Sequence, residues 1–152
     1  MKVEDIARKT VEPFLIENNC LLWDVIFEKE GALHYLKVLF NKQDGSLDME
    51  MCERLTPPIN KLLDEQDFIK KGLVDIVEIG SPGISRRVRH KEHFDYCMGK
   101  QLSIMRRLDN GKTETVTGLL NGYSQDDKSI TLDSEIISLK KCIRVILEEI
   151  QQ

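Results

Sequence analysis

The side chains that could do chemistry are few. Catalysis needs a nucleophile, a base or a metal held in a cleft. The three histidines are His34, His90 and His93. His34 falls in a strand pattern and reads as a packing or surface residue. His90-x-x-His93 is the only close pair, and it lies in a charged segment, so both rings read as solvated. The four cysteines, Cys20, Cys52, Cys97 and Cys142, form no C-x-x-C pair, whereas structural zinc takes paired ligands. Each has apolar neighbours and reads as a buried, reduced thiol. No G-x-S-x-G, Walker A or G-x-G-x-x-G pattern is present. Asp64-Glu65-Gln66-Asp67 reads as a solvated acidic turn rather than a metal-ligand run. Gly80-Ser81-Pro82-Gly83 resembles a phosphate loop only superficially, since Pro82 lacks one of the amides such a loop aims at an anion. No catalytic residue, metal ligand or cofactor site is expected.

Charge is more informative. The chain has 152 residues, 22 basic against 26 acidic, for a net charge of −4. That excludes a globally basic nucleic-acid binder but not a local basic face. Residues 1–80 carry 10 basic and 16 acidic side chains, a net of −6, and residues 81–152 carry 12 and 10, a net of +2. Within 86–107 lie Arg86, Arg87, Arg89, Lys91, Lys100, Arg106 and Arg107 against only Glu92 and Asp95. Arginine pairs bidentately with phosphate, which suits RNA contact. Phe94, Tyr96 and Tyr123 are the only aromatics near the band, too few for single-strand readout by stacking. Phosphate and shape contact on a large RNA, or on a protein bound to it, fits better. The acidic first half would attract a basic protein.

The remaining sequence supplies the scaffold. Hydrophobic residues make up 41% and charged residues 32%, an ordinary globular composition. No apolar run approaches the roughly 20 residues of a membrane span, and the acidic start Met1-Lys2-Val3-Glu4-Asp5 does not read as a signal peptide. A cytoplasmic location is expected. Val3, Ile6, Ala7, Thr10, Val11, Phe14 and Leu15 have helical spacing, with a kink expected at Pro13 and a stop at Asn18-Asn19. Leu21, Trp23, Val25 and Phe27 alternate with Asp24 and Glu28 as a strand, Gly31 marks a hairpin, and Leu33 to Phe40 is its partner. Asp48 can cap a second helix with an apolar stripe of Cys52, Leu55, Ile59 and Leu62, interrupted at Pro57-Pro58. Leu73 to Ile79 reads as a well-buried strand. The first module, residues 1–80, is therefore α-β-β-α-β. Gly80, Ser81, Pro82 and Gly83 form the candidate hinge.

Residues 81–152 change character. A short helix spans His90 to Met98, with Gly99 placed to end it. Strands follow at Lys100 to Leu108, Thr113 to Tyr123, Ser129 to Asp133, Ile136 to Leu139 and Cys142 to Leu147. Asn110-Gly111 signals a hairpin, and Gly118 and Gly122 permit sharp bends. Five short strands in so few residues point to a closed small barrel.

Val77-Glu78-Ile79-Gly80-Ser81-Pro82-Gly83-Ile84-Ser85-Arg86 resembles the junction signature of the ribosome maturation factor RimP family, which typically reads Val-Ser-Ser-Pro-Gly-Leu/Ile-Asp-Arg-Pro-Leu. Leu63-Asp64-Glu65-Gln66-Asp67 matches that family's Leu-Asp-x-x-Asp run, and Phe94 with Gly99 its Phe-x-x-x-x-Gly pattern. Ser85, Arg87, Val88 and Phe68 depart from it, standing for the usual acid, proline, leucine and proline. The resemblance implies an α+β protein, with the α-β-β-α-β domain followed by an SH3-like (Sm-like) barrel. It also implies a non-enzymatic, cofactor-free factor in the bacterial cytoplasm; the charged surface points to a monomer. Such a factor binds the immature small ribosomal subunit, with its ribosomal RNA, and promotes incorporation of ribosomal protein S-twelve. On that reading the seven cations of the band bear the RNA or ribosomal-protein contacts, and Gly80 to Gly83 set the pose of the modules. No membrane or small-molecule substrate is involved. The alternatives are a free RNA-binding regulator of transcripts and a protein-interaction adaptor.

Overall fold

The computed structural model describes residues 2–83 and 85–148, so Met1 and the Ile84 of the junction signature lie outside the described residues. The chain forms two compact units, Met1–Pro82 and Gly83–Gln152. The first unit runs α1 (Val3–Glu17), β1 (Cys20–Glu30), β2 (Leu33–Lys42), α2 (Met49–Asp64), α3 (Asp67–Lys70) and β3 (Ile76–Gly80). Its sheet has the order β1-β2-β3, with β1 antiparallel and β3 parallel to β2. The parallel pair requires a crossover, which α2 supplies.

The helices form where the apolar spacing places them. In α1, Ala7, Val11 and Leu15 are buried at a four-residue interval. Asp48 caps α2, accepting from the Met51 amide at 2.7 Å. Two expectations for α2 are corrected. The helix is not interrupted at Pro57-Pro58 but continues through both. Leu63, not Leu62, carries the stripe onward from Leu55 and Ile59, all at most 3% exposed. Each such side chain contributes about 1.5–3 kcal/mol on burial, which offsets the amide donors the prolines remove. The third strand also differs from expectation: it begins at Ile76, after α3, and is only half-buried, because it is an edge strand with a neighbour on one side.

The strict alternation read in β1 fails at Trp23. The β1/β2 register shifts between Leu22 and Asp24, so Trp23 is the extra residue of a β-bulge. The faces exchange there, leaving Leu21 52% exposed and Asp24 fully buried. Asp24 is not a solvated strand acid. It accepts from Arg8 of α1 at 3.4 Å and from the Val25 amide at 2.8 Å. Glu4 of α1 accepts from the Phe27 amide at 2.9 Å, which satisfies an edge-strand donor.

The second unit contains β4 (Ser85–Arg87), α4 (Lys91–Cys97), β5 (Gln101–Arg107), β6 (Thr113–Ser124), β7 (Ser129–Leu132), β8 (Glu135–Ser138), a 3-10 turn over Leu139–Lys141, and β9 (Cys142–Glu148). All pairings are antiparallel in the order β4-β9-β5-β6-β7-β8. The sheet is open: among the described residues no pairing joins β8 to β4. Strand β4 was not expected from the sequence, because three residues are too short to show a period. One apolar cluster fills the unit, with Leu102, Ile104, Leu120, Ile130, Ile137, Val145 and Leu147 from the strands and Phe94 and Cys97 from α4.

The reading of His93 as solvated is also corrected. It is 2% exposed, and its Nδ1 accepts from the Arg89 and His90 amides at 2.9 and 3.2 Å. An imidazole thus does the capping work at the start of α4.

Gly118 is needed for space rather than for a bend. A Cβ there would lie 2.5 Å from Asp133 Oδ2 and 3.0 Å from Leu132 Cγ, and Asp133 is tethered because its Oδ1 accepts from the Leu119 amide at 3.0 Å. Gly118→Ala is expected to destabilise the second unit by about 1–3 kcal/mol, read as a lower urea midpoint. An unchanged midpoint would show that Asp133 yields freely.

Candidate nucleic-acid interface

The basic band does not form one surface. Arg86 is only 9% exposed. Its Nε donates to the Gly83 carbonyl at 3.3 Å, and its guanidinium lies 5.7 Å from the Tyr96 ring centre. Lys100 covers the same ring at 4.2 Å, so Tyr96 is engaged by two cations. Phe94 is buried and stacked on Tyr123 at 4.7 Å. Of the aromatics near the band, Phe94 and Tyr123 are stacked on each other, and Tyr96, 45% exposed, is flanked by two cations. Lys91 pairs with Asp95 one helical turn on, at 3.1 Å.

Arg106 departs most from the expected role. Its guanidinium reaches Glu114 on β6 at 2.7 Å and Glu135 on β8 at 2.5 Å. Both carboxylates hold it protonated and raise its pKa further. With its charge balanced twice, Arg106 links three strands.

Three members of the band, Arg87, Arg89 and Arg107, line hollows together with cations from residues 140–144. Arg87 and Arg89 line a hollow of about 310 Å³ together with Arg144, over a floor that includes Val88, Phe94 and Val145. Arg107 lines a second hollow of about 310 Å³ with Lys140, Lys141 and Asp109. Ile143 borders both hollows. Asp109 pairs with Lys141 at 3.1 Å in the second hollow. Lys140, Lys141 and Arg144 lie outside the charged window 86–107. The stretch 139–147 holds these three cations and no acid, and that count was available from the sequence.

A bulge creates this surface. Strand β9 pairs Arg144 with Met105 but Cys142 with Arg106, so Ile143 is the unpaired extra residue. Consecutive residues normally point to opposite faces of a sheet. Here Ile143 and Arg144 are both exposed, whereas Cys142 packs against the core and Val145 is buried. Burial pushes the Cys142 thiol up, and Cys20 likewise, which suits packing rather than nucleophilic roles. All four cysteines are unbridged. Among the described residues no three His, Cys, Asp or Glu side chains are grouped to hold a metal ion.

These features define an α+β protein of two units, the second of which carries a cationic β-surface. The model of the RimP N-terminal domain matches residues 10–85, half of the chain. The chain belongs to the RimP family, a family of ribosome maturation factors.

Arg106→Gln is expected to lower stability by about 1 kcal/mol through loss of the paired network, seen as a lower urea midpoint at unchanged slope. An unaltered midpoint would show the two glutamate pairs to be idle.

Proposed function

We propose that this protein is a cytoplasmic, monomeric, non-enzymatic assembly factor that binds the immature small ribosomal subunit and promotes incorporation of ribosomal protein S-twelve. The observation that carries this reading is the family match over residues 10–85. The second unit, with one apolar cluster drawn from five strands and α4, is read as the SH3-like barrel that the resemblance implies. Gly80, Ser81, Pro82 and Gly83 are read as the hinge, a role supported by the unit boundary after Pro82 and the left-handed Gly83, at φ +76°. No helix among the described residues is long and apolar enough to cross a membrane.

The physical lever is differential affinity. A factor shifts an assembly equilibrium only by binding the immature particle more tightly than the finished one. The division of charge supports two kinds of contact: a cationic surface on the second unit for ribosomal RNA, and an acidic first unit, −6 over residues 1–80, for a basic ribosomal protein.

Tagged full-length protein, sedimented with a lysate, is expected to travel with immature small subunits and to be depleted from mature ones. Equal association with both would contradict a maturation role. Association with free transcripts alone would mark a regulator. A complex with protein that survives nuclease would mark an adaptor.

A further inference from the structure

We propose that the hollow of Arg107, Lys140 and Lys141 seats a phosphate group of an RNA backbone, and that Asp109 is a competitor built into it. The Asp109 carboxylate holds the anion's place until a phosphate displaces it. This inference deepens the maturation-factor reading and rests on it for the choice of RNA.

Arg107 ends β5, and Lys140 and Lys141 lie in the turn over Leu139–Lys141. With Leu108, Asp109 and Ile143 they line a hollow of about 310 Å³. All three cations are exposed. Arg107 and Lys140 have no carboxylate partner, and Lys141 has only Asp109, at 3.1 Å. The backbone that carries Asp109 is fixed. In the hairpin turn the Leu108 amide donates to the Lys112 carbonyl at 2.7 Å, the Gly111 amide to the Leu108 carbonyl at 3.0 Å, and the Lys112 amide to Asn110 Oδ1 at 2.9 Å. The Asp109 side chain is not fixed: it is 94% exposed and tied only to Lys141. An ion pair that exposed contributes little and gives way readily. A phosphodiester carries one negative charge, as a carboxylate does. Exchanging the one for the other keeps Lys141 neutralised and adds Arg107 and Lys140, which Asp109 does not engage. The Arg107 fork can pair with two phosphate oxygens, whereas the lysines act as point charges.

The surface beside the hollow favours a strand over a small anion. Ile143, 48% exposed, is the ridge between this hollow and the one that Arg144 lines. Arg144 lies opposite Met105 on β5, and Thr115 and Thr113 on β6 lie opposite Met105 and Arg107. All five side chains are exposed, and directly opposed residues share a face of the sheet. That face therefore presents two guanidinium groups and two hydroxyls. A strand with one phosphate in the hollow can bring its next toward Arg144, with the threonines as hydrogen-bond partners for phosphate or ribose oxygens. A free anion would use the hollow alone. Contacts of this kind hold the backbone and do not read base identity.

The test measures full-length protein on a fluorescent oligouridylate by anisotropy across a salt series, alongside sedimentation with immature small subunits. Asp109→Asn removes the competitor. It is expected to bind about threefold more tightly, since no exposed ion pair has to be broken, with a salt slope steeper by about 0.7. Asp126→Asn removes the same charge from the exposed turn between β6 and β7 and should change neither quantity. Arg107→Gln with Lys140→Gln is expected to bind roughly tenfold more weakly, with a slope shallower by about 1.4, two lost contacts at about 0.7 each. Lys140→Gln with Arg144→Gln takes its place if that pair loses its fold, as checked by circular dichroism. Asp109→Asn that binds no more tightly than wild type, or no more tightly than Asp126→Asn, would overturn the competitor. Folded cation variants with wild-type affinity and slope would overturn the site. So would wild-type protein that does not bind the oligouridylate, even if it still sediments with subunits, in which case the maturation reading stands alone. Displacement of the oligouridylate by inorganic phosphate at matched ionic strength would mark a site for the free anion and overturn the RNA backbone as occupant. The expected pattern without any association with immature subunits would support the site and overturn the maturation reading. Variants that lose the subunits but keep the oligouridylate would assign the surface to a protein partner and overturn the proposal.

Discussion

A single extra residue in β9 is the constraint on which the candidate surface depends. The strand lies between β4 and β5, so its backbone is committed on both sides and its register cannot drift without moving two neighbours. Val145 and Leu147 anchor it in the apolar cluster. Given those anchors, Ile143 has no partner on β5, and the alternation reverses at that point. Arg144 and Ile143 then emerge on the same side, next to β4 on one flank and the turn over Leu139–Lys141 on the other. Arg87, Arg107, Lys140 and Lys141 reach the two hollows from those neighbours. The cations are far apart in sequence, from residue 87 to residue 144, and only the strand order brings them together.

The same order explains which charges are withheld. Arg106 sits at the bulged end of β5, where Glu114 on β6 and Glu135 on β8 both reach it. Arg86 on β4 is buried and directed to Gly83 and Tyr96. These two arginines act inside the unit, one as a staple between strands and one as a packed side chain.

Much of the scaffold was legible because its signals are local. The period of Ala7, Val11 and Leu15, the cap at Asp48, the hairpin at Asn110-Gly111 and the stop at Gly99 each rest on residues within a few positions of one another. Local signals fail where tertiary pairing decides. Trp23 and Ile143 are ordinary strand residues, and nothing in their type announces a bulge. Strand β4 exists only because β9 is there to pair with it. Continuous passage of α2 through Pro57-Pro58 follows from packing of Ile59 and Leu63, not from propensity. For the surface, Arg87, Arg89 and Arg107 were visible in the charged window, and Lys140, Lys141 and Arg144 needed only a longer one. That Arg106 and Arg86 are spent elsewhere could not be read, because their partners lie on other strands or in the fold around them.

Contact at the ridge itself tests the account most directly. A photocrosslinking residue, benzoylphenylalanine, placed at position 143 of the full-length protein would report what lies over both hollows when it is bound to immature small subunits. The account predicts crosslinks to ribosomal RNA, above those obtained from the same residue placed at position 29. Crosslinks from position 143 to protein alone, with RNA no more labelled than from position 29, would contradict it.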